Sequence, residues 1–195
     1  MKKYLAEFIG TFALTLAVIL SVKGGLIATP IIAGLVLALF VYSIGNISGA
    51  HLNPAVTIGA FSIGKISLVK TNFYLISQFL GAGGAMFVAY LFSIPLPVTV
   101  TNLSWLAFSA EIVGAFFFTF GIASVVYSKT PHDASGAVIG GSLLLGITVA
   151  SLLGSSGIVN PAVALGLNAF NFAYLFGPIV GSIIGMNTYK YLAEN

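Results

Sequence analysis

The sequence predicts an all-α membrane protein: six transmembrane helices plus two re-entrant half-helices, arranged as an inverted 3+3 repeat. Three observations carry this reading. They are a composition that water could not solvate, apolar runs of spanning length, and two short motifs that recur in the same order. Of the 195 residues, 58% are hydrophobic and 6% charged, whereas a soluble surface needs about a quarter of its residues charged. The bilayer must therefore be the solvent. Since about 20 apolar residues cross it, the length allows a single membrane domain, 1–195, with no soluble domain beside it.

The apolar runs fall at about residues 4–22, 31–47, 71–92, 105–127, 136–153 and 172–192. Continuous apolar stretches such as Phe116-Phe117-Phe118 and Leu143-Leu144-Leu145 argue against barrel strands, which alternate apolar and polar residues. Two further runs, at about 53–61 and 160–170, are too short to cross, and each opens on Asn-Pro. They fit half-helices that enter the membrane and turn back. Met1-Lys2-Lys3 has the look of a signal-peptide start, but the run behind it is longer than a signal's apolar core.

Charge supports the same count. Lys2, Lys3, Lys65, Lys70, Lys129 and Lys190 fall on one side of a six-span arrangement and Lys23 alone on the other. The positive-inside rule makes the lysine-rich side cytoplasmic, with both termini inside and the plasma (inner) membrane as the expected location. The cations are scattered lysines without a basic stripe, so nucleic acid is not an expected partner. With no cysteine, two histidines and one loop aspartate, the spans hold no nucleophile set or metal-ligand cluster. Neither enzyme activity nor a cofactor or metal is expected.

Ala6-Glu7-Phe8-Ile9-Gly10 returns as Ala110-Glu111-Ile112-Val113-Gly114, and Asn53-Pro54-Ala55 returns as Asn160-Pro161-Ala162. The offsets are 104, from Glu7 to Glu111, and 107, from Asn53 to Asn160. Each half then reads span, span, half-helix, span. Three spans per half invert the second copy, with repeat one at about 1–97 and repeat two at about 98–195.

The Asn-Pro-Ala tripeptides start helices, because Asn caps well and Pro suits the first helical position. A helix N-terminus carries about half a positive charge and orphan N–H donors. Two such ends facing each other near mid-membrane repel cations and protons, while the Asn53 and Asn160 amides can donate to a small neutral molecule such as water or an alcohol. The other reading is that Asn-Pro merely caps two buried helices. Glu7 and Glu111 are acids within apolar helices, and each is expected to accept hydrogen bonds from loop backbone around the half-helices. The alternative places each near its helix end, reaching headgroup water. Gly177-x-x-x-Gly181-x-x-x-Gly185, Gly136-x-x-x-Gly140 and Gly81-x-x-x-Ala85 read as close-packing faces. His51, beside Asn53, is either at the inner pore entrance or hydrogen-bonded within its loop, and His132 with Asp133 reads as a solvated turn.

Residues 6–12 (AEFIGTF), 48–58 (SGAHLNPAVTI) and 77–82 (SQFLGA), with Asn160-Pro161-Ala162, resemble the aquaporin and glycerol-facilitator family, the major intrinsic proteins. The resemblance implies a right-handed bundle with a pore in each subunit of a homotetramer, in the lipid bilayer, passing water and small neutral solutes. In that family an arginine usually follows the second Asn-Pro-Ala and forms the outer selectivity filter. Here that position is Val163, and the chain contains no arginine. By family spacing the other filter positions are Ala33, Thr148 and Gly157, although matching Gly146 to the fifth span's usual glycine implies a shortened outer loop instead. Water-selective members resemble one another in carrying Phe and His at the first two positions. All four here are small or medium and uncharged.

The expected function is a passive channel for water and small uncharged solutes, glycerol-like or urea-like. The alternatives are a poorly conducting adhesion or scaffold protein with the same fold, and a secondary transporter. At Val163 itself the choice is between a wide, apolar constriction and one refilled by an aromatic such as Phe40 or Phe170.

Overall fold

Polar caps punctuate the apolar runs and start most of the helices. In the computed structural model, which describes residues 1–24, 28–96 and 104–194, the helices are α1 (Lys2–Gly24), α2 (Thr29–Ser48), α3 (Pro54–Ser62), α4 (Leu68–Leu91), α5 (Trp105–Val126), α6 (Ser135–Leu152), α7 (Pro161–Gly166) and α8 (Phe172–Glu194). A short 3-10 turn, His132–Ala134, leads into α6. Ser67 accepts from the Lys70 amide, Ser104 from the Ala107 amide and Asn171 from the Ala173 amide, so α4, α5 and α8 each start on a side-chain cap. Pro30 sits in the first turn of α2, where its missing N–H has no partner to lose. No strand occurs among the described residues. The expected junction between the repeats, about 97/98, lies outside the described residues.

Five of the described segments, α1, α2, α4, α5 and His132–Leu152, are long and apolar enough to cross a bilayer. The sixth span is α8, which has 23 residues but carries Pro178, Asn187 and three tyrosines that lower its hydropathy. The two short helices α3 and α7 are the re-entrant ones.

The second half-helix is shorter than the sequence suggests: it stops at Gly166 rather than running to residue 170. No glycine or proline follows Gly166 to announce that stop. Asn168 takes the left-handed conformation at φ 59, and the Ala169 amide donates back to the Ala164 carbonyl at 2.8 Å. The same turn closes α3, with Gly64 at φ 77 and the Lys65 amide on the Ala60 carbonyl at 2.9 Å. Asn and Gly are the residues that tolerate this conformation best. Gly64 to Asn168 is an offset of 104, three less than Asn53 to Asn160, because α7 has six residues where α3 has nine.

Glycine lets the spans close around the half-helices. A Cβ on Gly81 of α4 would press on the Phe8 carbonyl of α1, and one on Gly181 of α8 on the Ile112 carbonyl of α5. Those pairs are repeat equivalents. At the seam between the halves, Gly34 of α2 and Gly140 of α6 each lie against the other's carbonyl oxygen. Large apolar side chains such as Leu35, Leu39, Phe87 and Leu106 remain exposed on the outside of the bundle, as lipid-facing positions do. Inside it, Glu7, Gln78, Glu111, Asn53, Asn160 and Thr57 are all buried. The polar residues thus gather where α3 and α7 meet.

Candidate functional site: two crossed half-helices

The chain enters each half-helix through an unusual backbone. Ala50, Leu52 and Val159 sit at positive φ, as does Gly157, and each non-glycine residue there carries roughly 1 kcal/mol of strain or more. A buried glutamate holds each loop in place. Glu7 Oε1 accepts from the Ser48 hydroxyl at 2.7 Å and the His51 amide at 3.0 Å, and Oε2 from the Leu52 amide at 2.8 Å. Glu111 repeats the pattern with the Ser155 hydroxyl at 2.6 Å, the Ile158 amide at 2.9 Å and the Val159 amide at 2.6 Å. The serines in turn accept from the Ala50 and Gly157 amides. Loop amides that no helix or sheet satisfies are therefore bonded by ionisable groups that lie on α1 and α5.

Held this way, the loops deliver the asparagines to one point. Asn53 Oδ1 accepts from the Ala55 amide at 2.8 Å and caps α3, and Asn160 Oδ1 accepts from the Ala162 amide at 3.0 Å and caps α7. Each asparagine also reaches across. Asn53 Nδ2 donates to the Val159 carbonyl at 2.9 Å, and Asn160 Nδ2 donates to the Leu52 carbonyl at 3.0 Å. The two helix N-termini are thus cross-braced head to head. An Asn amide has two N–H groups, so each asparagine keeps a second donor after the brace is made.

Open space lies on both sides of this junction. A cavity of about 410 Å³ opens at the end of the bundle away from the chain termini, with Ala33, Ile147, Gly157, Asn160 and Val163 among its lining. A second, about 570 Å³, opens at the end that carries the termini, where Leu37, His51, Val56, Lys65 and Lys70 line it. None of the described residues lining the first cavity is charged or aromatic. Phe40 and Phe170 are both absent from that lining; Phe170 packs edge-on against Phe79, with ring centroids 6.0 Å apart.

Ala33, Gly157 and Val163 therefore come together at the far-side cavity, and Thr148 does not. On α6 it is the preceding residue, Ile147, that lines the cavity. Leu143, Ile147 and Ser151 lie four apart and share the cavity-facing stripe of α6. Thr148 is turned about 100° from that stripe, and its hydroxyl donates to the Leu144 carbonyl at 2.8 Å within the helix. His51 combines its two readings: it lines the terminal-side cavity, and its Nδ1 lies 3.1 Å from the Thr57 hydroxyl. His132 is exposed, 3.8 Å from Asp133.

Three participants escape the sequence reading. Ser48 and Ser155 share the offset of 107 with the asparagines, so extending the repeat comparison upstream would have found them. Gln78, within the 77–82 motif, donates to Glu7 Oε2 at 2.8 Å and to the Thr57 hydroxyl at 2.9 Å. It has no polar counterpart: aligning Gly81 with Gly181 places Pro178 opposite it.

This architecture can be compared with known proteins as a whole. The family model described as major intrinsic protein matches residues 1–189. The chain belongs to the major intrinsic protein family. The aquaporin AqpM of Methanothermobacter thermautotrophicus is 32% identical, over 99% of this chain and 98% of its own length. The glycerol uptake facilitator protein-like 6 of Lactiplantibacillus plantarum is 32% identical, over 94% of each. The aquaglyceroporin from Plasmodium falciparum shares the fold at a TM-score of 0.70 and 22% identity, over 99% of this chain and 95% of that one. As a major intrinsic protein, the chain is an integral multi-pass membrane protein in a family of channels rather than enzymes. The residue after its second Asn-Pro-Ala is Val163, and the chain contains no arginine.

Proposed function

We propose that the chain is a passive channel for water and small uncharged solutes such as glycerol or urea. The observation that carries this reading is the crossed pair Asn53–Val159 and Asn160–Leu52 standing between two open cavities. A neutral molecule with an oxygen acceptor can exchange a water hydrogen bond for the spare amide donors. A cation meets two positive helix ends and no carboxylate, which supports exclusion of ions.

The far-side constriction is formed by Ala33, Ile147, Gly157 and Val163, and its apolar walls favour passage of solutes wider than water over strict water selectivity. Pro54, Ala55, Pro161 and Ala162 act by starting α3 and α7, Glu7 and Glu111 by anchoring the loops, and His51 at the entrance. By the lysine distribution the terminal side is cytoplasmic, both termini are inside, and the plasma membrane is the location.

Stopped-flow light scattering of proteoliposomes against water, glycerol and urea gradients tests the proposal. Faster relaxation than in empty vesicles in the water arm and in at least one solute arm is expected; permeability equal to empty vesicles sinks the channel in favour of an adhesion or scaffold role. The family resemblance and the exposed apolar faces support a homotetramer. Light scattering in mild detergent should give a mass of about four chains, and a monomer at moderate concentration refutes that assembly.

A further inference from the structure

The chain has seven lysines and two histidines, and four of these nine bases, His51, Lys65, Lys70 and His132, line the terminal-side cavity. None of the four acids lines it. The arrangement is held in place. Lys65 Nζ lies 4.5 Å over the Tyr127 ring and Lys70 Nζ 5.1 Å over the Tyr74 ring, while the His51 ring stands edge-on to Tyr74 at 5.3 Å. A ring face fixes an ammonium without consuming all of its donors.

The neighbouring acids are otherwise engaged. Glu7 accepts from Ser48, His51, Leu52 and Gln78, Asp133 lies 3.8 Å from His132, and Glu194 lies near the Tyr127 hydroxyl. Among the described residues no carboxylate pairs with Lys65 or Lys70. Lys65 and Lys70 thus bring two ammonium groups to one space whose walls carry no acid, and a bound anion balances them. We propose that this cavity binds a phosphate group, and that a phosphate seated there obstructs the pore from the cytoplasmic side.

Phosphate fits better than a single carboxylate. It brings up to two negative charges and several strong acceptor oxygens to ammonium groups that act as point charges. The volume of about 570 Å³ holds it with water to spare. Obstruction follows from position, because the same cavity reaches Val56, one turn into the α3 helix that Asn53 caps. That second part rests on the channel reading; binding does not.

The group has two possible sources, a soluble phosphate and a lipid headgroup, and calorimetry separates them. Inorganic phosphate titrated at low salt into the protein in phosphatidylcholine nanodiscs should give a saturable heat. The affinity should drop about tenfold or more in the Lys65→Met/Lys70→Met variant, whose unbranched side chains are one atom shorter than lysine and carry no charge. An unchanged heat in discs that include phosphatidylglycerol supports a soluble occupant, and its loss there supports the headgroup. No saturable heat in phosphatidylcholine discs, with the protein folded by size exclusion, overturns the site, as does an affinity unaffected by the double substitution. Proteoliposomes loaded with phosphate should then pass solute about half as fast or less than chloride-loaded ones. Binding without slowed flux overturns the obstruction alone, and binding in a protein that never conducts overturns the channel while leaving the site.

Discussion

Glu7 and Glu111 accept the same hydrogen bonds from the two re-entrant loops, and Glu7 accepts one more, from Gln78 at 2.8 Å. Both oxygens of Glu7 therefore receive two donors, whereas Glu111 Oε2 receives the Val159 amide. The first re-entrant loop is tied to α4 through this contact and through Thr57. The second has Pro178 at the equivalent place.

That asymmetry ranks two substitutions. Glu7→Gln turns an amide N–H₂ toward two donors whichever way it is flipped, while Glu111→Gln can point it at Val159 alone. Leaving a buried donor without its acceptor costs about 1–3 kcal/mol, so both variants should melt lower, with Glu7→Gln the worse. Thermal unfolding followed by size exclusion gives the order. Equal melting temperatures, or Glu111→Gln falling further, contradict the role assigned to Gln78.

The repeat made most of this fold readable in advance. Glu7 and Glu111 at one offset, and the asparagines at nearly the same one, located both loops and both half-helices before any geometry. What stayed hidden has physical causes. The end of α7 depends on Asn168 adopting φ 59, which an Asn in an apolar run does not announce. The phase of α6 was ambiguous because Gly146, Ile147 and Thr148 are all compatible with a buried face. Only the packing of Gly146 on the Gly114 carbonyl turns Ile147 inward. Gln78 escaped because its partners are 71 and 21 residues away in sequence.

Asn53→Asp should weaken ion exclusion and stability together. The substituted oxygen would face the Val159 carbonyl, which now accepts from Asn53 Nδ2 at 2.9 Å, so a donor becomes a repelling acceptor. The new charge also offsets the positive helix ends. Sodium conductance in planar bilayers should rise; a folded variant as tight as wild type places the barrier elsewhere.

Ile147 and Thr148 separate a lining residue from its neighbour. Thr148→Val removes only a hydroxyl bonded inside α6 and should leave solute permeability within about twofold, as surface-like changes do. Ile147→Phe adds a ring to the far-side constriction and should slow glycerol more than water. The reverse pattern would restore Thr148 to the filter.

Val163→Arg should convert a broad pore toward water selectivity. Val163 is 4% exposed, directly after the second Asn-Pro-Ala, on a cavity wall shared with Ala33, Ile147 and Gly157. Valine offers the passing solute no hydrogen bond, whereas arginine brings a fixed charge and five donors on a planar fork. The neighbouring walls are short, so the guanidinium has volume to enter, and no described lining residue supplies a counter-charge. Burying it unpaired costs several kcal/mol, so folding and assembly of the variant must be verified before flux is compared. In proteoliposomes, glycerol permeability should then fall by about tenfold or more and water permeability by less, the difference corresponding to roughly 1.4 kcal/mol of added barrier. A wild-type protein that passes water but already excludes glycerol and urea refutes the wide constriction. In that outcome the aperture is closed by something other than the residue after Asn160-Pro161-Ala162, and Ile147 is the first residue to truncate.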